Sequence, residues 1–247
     1  VIPVFRADTN GIVRTVAVGG DTLYLGCDFT TVNGQPRARL AAVDLQTGAV
    51  KAFRADTNRV NKVVVAGDRL YVAGAFTTIG GVPRNRVAAL DLTTGAVDPT
   101  FDPDVNAMVN TIAARPDRSR VFIGGLYSNV HGTATTRLTA LDGFTGAVVG
   151  PTFLDVSGEA LDLELNKDGT RLAAALAEYG NQGALFNTTT GSKMFRQRCG
   201  GDAQAVRKVA GNGAPWVAVL ASMVVGFLAV AGNYLLPEKI FGYLLAT

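Results

Sequence analysis

One phrase recurs in this chain at a fixed distance. Phe5, Phe53 and Phe101 open successive copies at steps of 48 residues (53 − 5 and 101 − 53). A period of that length points to a repeat architecture and outranks any local reading. The third copy, Phe101 to Gly146, states the theme: Phe-Asp-Pro-Asp-Val-Asn, then Val-Phe-Ile-Gly-Gly-Leu-Tyr, then Leu-Thr-Ala-Leu-Asp-Gly-Phe-Thr-Gly.

Taken in order, the first copy covers 4–52. Val13 to Val18 is mostly β-branched and reads as a strand. Gly19-Gly20-Asp21 turns the chain into Thr22 to Gly26, so the pair reads as a hairpin. A loop from Phe29 leads to a third strand, Arg39 to Asp44, and Val50 to Phe53 makes a short fourth. Four antiparallel strands in about 48 residues are one propeller blade. The second copy runs from 53 to 100, with strands near Val60–Ala66, Leu70–Ala73 and Arg86–Asp91. The third (101–152) is looser. The fourth (153–194) matches least, with a hairpin around Lys167-Asp168-Gly169 and outer strands expected to be shortened. A partial fifth copy starts at Phe195 and fades by 206. The expected fold is all-β, an incomplete β-propeller of four-stranded blades, about four and a stub.

Composition fits such a fold. Glycine occurs 29 times, which suits many tight turns. With 48% hydrophobic and 17% charged residues the chain is not of disordered type. The net charge is only +3 and the bases are spread singly, so no nucleic-acid partner is expected. Cys27 and Cys199 allow at most one disulfide and make no metal-spacing motif. No Gly-x-Ser-x-Gly elbow, phosphate loop, dinucleotide fingerprint or His-Glu-x-x-His is present, so the chain is not expected to be an enzyme. The opening Val-Ile-Pro-Val-Phe is no signal peptide, which implies a leader already removed or a fragment.

The repeated polar residues have structural explanations first. Asp44, Asp91 and Asp142 each stand four residues before the glycine of an Asp-x-x-Thr-Gly turn, and Asn187 replaces them in the fourth copy. Such a side chain accepts backbone N–H bonds while the glycine supplies a positive φ. Phe29, Phe76 and Tyr127 share one position and read as packing between sheets. Arg39, Arg86 and Arg137 align before the third strand and read as partners of turn carboxylates or as solvent-facing residues, with a ring facing an anionic ligand as the alternative. His131 fills a loop slot held elsewhere by Asn33 and Gly80.

The candidate site is a second periodic set. Asp8, Asp56 and Asp104 lie 48 apart, as do Asn10, Asn58 and Asn106, in the loop entering each first strand. On a propeller that loop is expected at the central channel, where converging oxygens could hold calcium. The alternative is that Asp and Asn simply start turns. The fourth copy supplies Val156 and Gly158 instead, which breaks the ring.

From about Arg207 the composition changes. Trp216 to Leu236 is 21 residues without a charge. At ~1.5 Å per residue, that is enough for a helix across a ~30 Å hydrocarbon core. Pro237-Glu238-Lys239 interrupts it, and a second apolar run begins at Ile240.

Two resemblances follow from these residues. Residues 4–206 resemble secreted bacterial β-propeller repeat proteins, with blades similar to quinoprotein-like and Kelch-like ones. The motifs that carry this are Gly74-Ala75-Phe76-Thr-Thr-Ile-Gly-Gly81, Arg86-Val-Ala-Ala-Leu-Asp-Leu-Thr-Thr-Gly95 and Val97-Asp-Pro-Thr-Phe101. The resemblance implies export and a binding or display role at the cell surface, toward a protein or carbohydrate ligand. Residues 207–247 resemble an internal piece of an amino acid–polyamine–organocation family permease, through Gly213-Ala-Pro-Trp-Val-Ala-Val-Leu and Asn233-Tyr-Leu-Leu-Pro237-Glu-Lys-Ile-Phe241. Arg207 and Lys208 put the N-terminal side of that segment in the cytoplasm, in conflict with an exported propeller. The expectation is therefore a chimeric or misjoined chain, with a membrane-tethered propeller as the alternative. The rival functions are a fragment carrying part of a permease, and a propeller enzyme acting on sugars or with a quinone.

Overall fold

A computed structural model describes residues 5–154, 156, 158–177 and 182–198. Among them there is no helix, and so none long and apolar enough to cross a membrane. The expected apolar helix at 216–236, its successor, and Cys199 lie outside the described residues.

The first copy forms β1 (Val13–Gly19), β2 (Thr22–Cys27), the short pair β3 (Thr31–Val32) and β4 (Gln35–Pro36), and β5 (Leu40–Asp44). The second repeats this as β6 (Val60–Ala66), β7 (Arg69–Gly74), β8 (Thr78–Ile79), β9 (Val82–Pro83) and β10 (Val87–Asp91). The third has β11 (Val109–Ala114), β12 (Arg120–Gly125), β13 (Asn129–Val130), β14 (Thr133–Ala134) and β15 (Leu138–Asp142). The fourth has β16 (Glu159–Leu165), β17 (Arg171–Ala177), β18 (Gln182–Asn187) and β19 (Lys193–Arg198).

Each of the first three sheets orders its strands β1-β2-β5, β6-β7-β10 and β11-β12-β15, all antiparallel. The first strands of successive sheets lie against one another, so they form the inner ends of a radial arrangement. The middle strands are apolar along both faces: Leu70, Tyr71, Val72 and Ala73 are all buried. A sheet covered on both sides by neighbours requires such a continuous run.

The expectation of four strands per blade is corrected in the first three copies. The fourth strand shrinks to one bridge: Val43 to Val50, Leu90 to Val97, and Leu141 to Val148. The reason lies just downstream. Phe53, Phe101 and Phe153 are fully buried between consecutive blades, and this draws the chain off the sheet edge. Phe53 stands edge-on to Tyr24 at 5.4 Å, Phe101 to Tyr71 at 5.3 Å, and Phe153 to Phe122 at 5.9 Å. The small hairpins supply extra pairing instead, through Thr9–Val32, Thr57–Ile79 and Val105–Val130 bridges.

The fourth blade also departs from expectation. Its outer strands are not shortened: β18 and β19 have six residues each and complete a four-stranded sheet. Only residues 178–181 separate β17 from β18, too few for the hairpin inserted in the other copies. Phe195, expected to open a fifth copy, pairs with Leu185 inside this sheet and is 41% exposed.

Phe5 shares its period with Phe53 and Phe101 but is 43% exposed. Val16 is likewise 55% exposed, whereas its counterparts Val63, Ile112 and Leu163 are buried. Both differences have one cause: among the described residues no blade precedes the first, so its leading face is uncovered.

Candidate functional site

The six residues expected at the central channel run beside the outer part of each blade instead. Arg6 N–H donates to the Thr47 carbonyl (3.4 Å), and Thr47 lies in the turn after β5, the strand farthest from the inner end. Asp8 is bound to the tip of the small hairpin: its N–H donates to Asn33 Oδ1 (2.8 Å), and its carbonyl accepts from Asn33 N–H (2.7 Å). Asn10 Oδ1 accepts from the N–H groups of Thr30 (2.8 Å) and Thr31 (3.0 Å). Asn106 does the same for Ser128 and Asn129, both at 3.1 Å. Asn58 is exposed and makes no equivalent bond among the described residues.

Two of the aspartates stitch blades together. Asp56 Oδ1 accepts from Ala38 N–H in the first blade at 2.9 Å. Asp104 Oδ1 accepts from Asn85 Nδ2 in the second at 2.7 Å. Their oxygens thus serve separate junctions. Among the described residues no three His, Cys, Asp or Glu side chains gather as a metal set.

The inner wall carries a different polar set. Every first strand has a register shift near its start: Val13/Thr15, Val60/Lys62, Val109/Thr111 and Ala160/Asp162. Such a bulge re-aims side chains and frees a backbone N–H. Thr15 Oγ1 accepts from Val63 N–H (3.1 Å), and Thr111 Oγ1 accepts from Leu163 N–H (3.0 Å), each in the following blade. Lys62 Nζ reaches past the third blade to Asp162 Oδ1 at 2.8 Å, and the Thr111 hydroxyl donates to the same oxygen at 3.2 Å. The Asp162 side chain is only 12% exposed. In the sequence this set shows only as a polar residue two positions after Val13, Val60, Val109 and Ala160.

The Asp-x-x-Thr-Gly turns have the geometry their spacing implies. Asp91 Oδ1 accepts from Thr93 N–H, Thr94 N–H and the Thr94 hydroxyl at 2.8–3.0 Å. Asp44 and Asp142 repeat the set, and Asn187 takes two N–H groups at 2.8 and 2.9 Å. The Thr94 backbone N–H, then its hydroxyl, hold Asp91 below the ordinary carboxylate value. At Asp142 desolvation pushes upward, but the N–H groups of Thr145 and Phe144 outweigh it and the net shift is downward.

The aligned arginines serve the main chain. Arg39 Nη1 donates to the Asp28 carbonyl (2.6 Å) and Arg86 Nη1 to the Phe76 carbonyl (2.7 Å), while Arg137 is exposed. His131 has φ of 46° and its counterparts Asn33 and Gly80 have 49° and 58°. Each precedes a glycine of positive φ, which makes a hairpin turn of type I′. The three tips, 33–36, 80–83 and 131–134, are exposed almost throughout, and their residues differ from copy to copy.

Comparisons with known proteins agree with this architecture. The model of a β-propeller domain of unknown function, DUF5122, matches residues 68–101. The β-propeller domain of Cps50 (Swd1) from Myceliophteria thermophila superposes with a TM-score of 0.57 at 16% identity. That match covers 82% of this chain and 60% of the other, so this chain spans about three fifths of that relative. The computationally designed Ika4 protein gives 0.51 at 11% identity, covering 74% of this chain and 95% of Ika4. A chain of the mitotic checkpoint complex gives 0.54 at 14% identity, covering 78% and 53%. No curated protein sequence matches. These likenesses establish an all-β, propeller-type fold.

Proposed function

We propose that the chain is a non-catalytic β-propeller binding or display module of cell-surface type, acting on a protein or carbohydrate ligand and not on nucleic acid. The observation that carries this reading is the division of labour within each copy. The recurrent Asp, Asn, Tyr and Phe residues are used in turns and blade junctions. The hairpin tips keep one backbone conformation while their exposed side chains vary: Asn33-Gly34-Gln35, Gly80-Gly81-Val82 and His131-Gly132-Thr133. A constant frame carrying variable exposed loops is the usual arrangement of a binding surface.

The test is a glycan array probed with the full chain and with the combined variant Gln35→Ser, Val82→Ser, His131→Asn, Thr133→Ser. Glycan signals that weaken tenfold or more in the variant, at an unchanged melting temperature, support the reading. Chemical turnover of any bound glycan would overturn its non-catalytic part. Equal binding by the variant would remove the hairpins from the role.

A further inference from the structure

The junction between the third and fourth blades holds a cleft of about 240 Å³ lined by Arg115, Ser119, Arg120, Gly150, Thr188 and Thr189. Its electrostatics become clear from the preceding junction. Arg69 and Arg120 are equivalent, since each opens the second strand of its blade opposite the turn aspartate, Asp91 or Asp142. Asp98 and Val149 are equivalent too: Asp98 N–H donates to Ala89 O (2.8 Å) and Val149 N–H to Ala140 O (3.0 Å). In the second blade Arg69 Nε meets Asp98 Oδ2 at 3.0 Å, with the carboxylate only 8% exposed. In the third blade that carboxylate has become the isopropyl group of Val149, while the arginine remains.

Arg120 therefore keeps its charge without the partner built for it. Its guanidinium donates to the Ser119 carbonyl at 3.2 Å and forms no ion pair among the described residues. Arg115 adds a second cation. Its Nη2 donates to Thr188 Oγ1 at 3.0 Å, its Nε is buried without a partner, and it too lacks an ion pair among the described residues. Two carboxylates feel these charges from outside ion-pair reach, Asp117 from Arg115 and Asp142 from Arg120. Both have Oδ1 committed to their own turns, Asp117 to Ser119 and Asp142 to Phe144 and Thr145. Two guanidinium groups beside an open cleft attract an oxyanion, and a carboxylate matches the planar donor fork.

We propose that this cleft binds a carboxylate, seated between Arg115 and Arg120 in the role that Asp98 fills one junction earlier. At ~30 Å³ per water the cleft has room for about eight waters, so the carboxylate can be borne on a small molecule of several heavy atoms. The inference does not depend on the display role, which concerns the hairpins.

The test follows the arginine Nε–H resonances of the full chain during titration with acetate, against chloride at matched ionic strength. Acetate is expected to give a saturable shift of the Arg115 and Arg120 signals that chloride does not give. Arg120→Gln should weaken the response tenfold or more. Val149→Asp should abolish it by supplying the carboxylate internally, and its melting temperature reports whether that variant is folded. A wild-type response no different from chloride would overturn the proposal, as would a folded Val149→Asp that still saturates. Inorganic phosphate saturating at tenfold lower concentration than acetate would overturn the carboxylate assignment.

Discussion

The Tyr71 hydroxyl donates to the Gly143 carbonyl at 2.7 Å and so joins the second blade to the closing turn of the third. Tyr24 makes the same bond to Leu92, one blade earlier, at 2.6 Å. Phe122 occupies the position in the third blade and has no hydroxyl to offer. Tyr71→Phe removes the donor and leaves a carbonyl unpaired at a junction, a loss of about 1–2 kcal/mol in urea unfolding. Phe122→Tyr, with no equivalent donor lost, is the comparison; if both changes cost the same, the bond has no structural weight.

Equivalent phenylalanines should not be equivalent energetically. Phe101 is fully buried against Tyr71, so Phe101→Ala is expected to cost about 3–5 kcal/mol. Phe5 is 43% exposed, and Phe5→Ala should stay within about 0.5 kcal/mol. Chemical denaturation of the two variants measures the difference directly.

Acid should loosen the turns before it touches the core. Asp44, Asp91 and Asp142 are held below the ordinary carboxylate value in the folded chain. A depressed folded pKa gives stability that is complete above the unfolded value, about 3.9, and is lost as pH falls through the lower folded values. The melting temperature should therefore be level from neutral pH down to about pH 5 and fall below about pH 4. Asp91→Asn with Asp142→Asn should flatten that fall, because Asn187 already shows that an amide can hold this turn.

His131 is a turn residue by conformation. Its φ of 46° lies in the left-handed region, where a β-branched side chain is strained. His131→Val should cost about 1–2 kcal/mol, while His131→Asn should be near neutral. Thermal melts of both variants decide the matter: equal melting temperatures would mean the hairpin has rearranged.

The Lys62–Asp162 pair should behave as a coupled unit. Asp162→Asn leaves the Lys62 ammonium half-buried opposite a neutral amide, and a loss of about 2–3 kcal/mol is expected. Adding Lys62→Met should recover most of it, which a double-mutant cycle would show.

Much of this was visible in the bare sequence, for a definable reason. Steps of 48 residues and the turns at Asp44, Asp91, Asp142 and Asn187 are local patterns, and local hydrogen bonds fulfil them. Radial position is not local. Asp8, Asp56 and Asp104 were expected at the channel because they precede the inner strand, yet their segment first passes the outer turn and the small hairpin. The periodicity identified them as equivalents without saying how far from the axis they lie. Phe195 failed differently. It resembles the repeat-opening phenylalanines by spacing, but it lies in β19, paired with β18, in a blade whose hairpin insertion is missing. The axial contact of Lys62 with Asp162 spans 100 positions, and no pattern within one copy could foretell it.

That contact bears on how the molecule comes apart. Lys62 and Asp162 belong to strands on either side of β11, and Thr111 of β11 binds the same carboxylate oxygen. The strand is thus latched in place by its flanking partners, and it cannot peel away until the latch opens. Amide protons of β11 should accordingly be the last to exchange with deuterated solvent, and those of β1, open on one side, among the first.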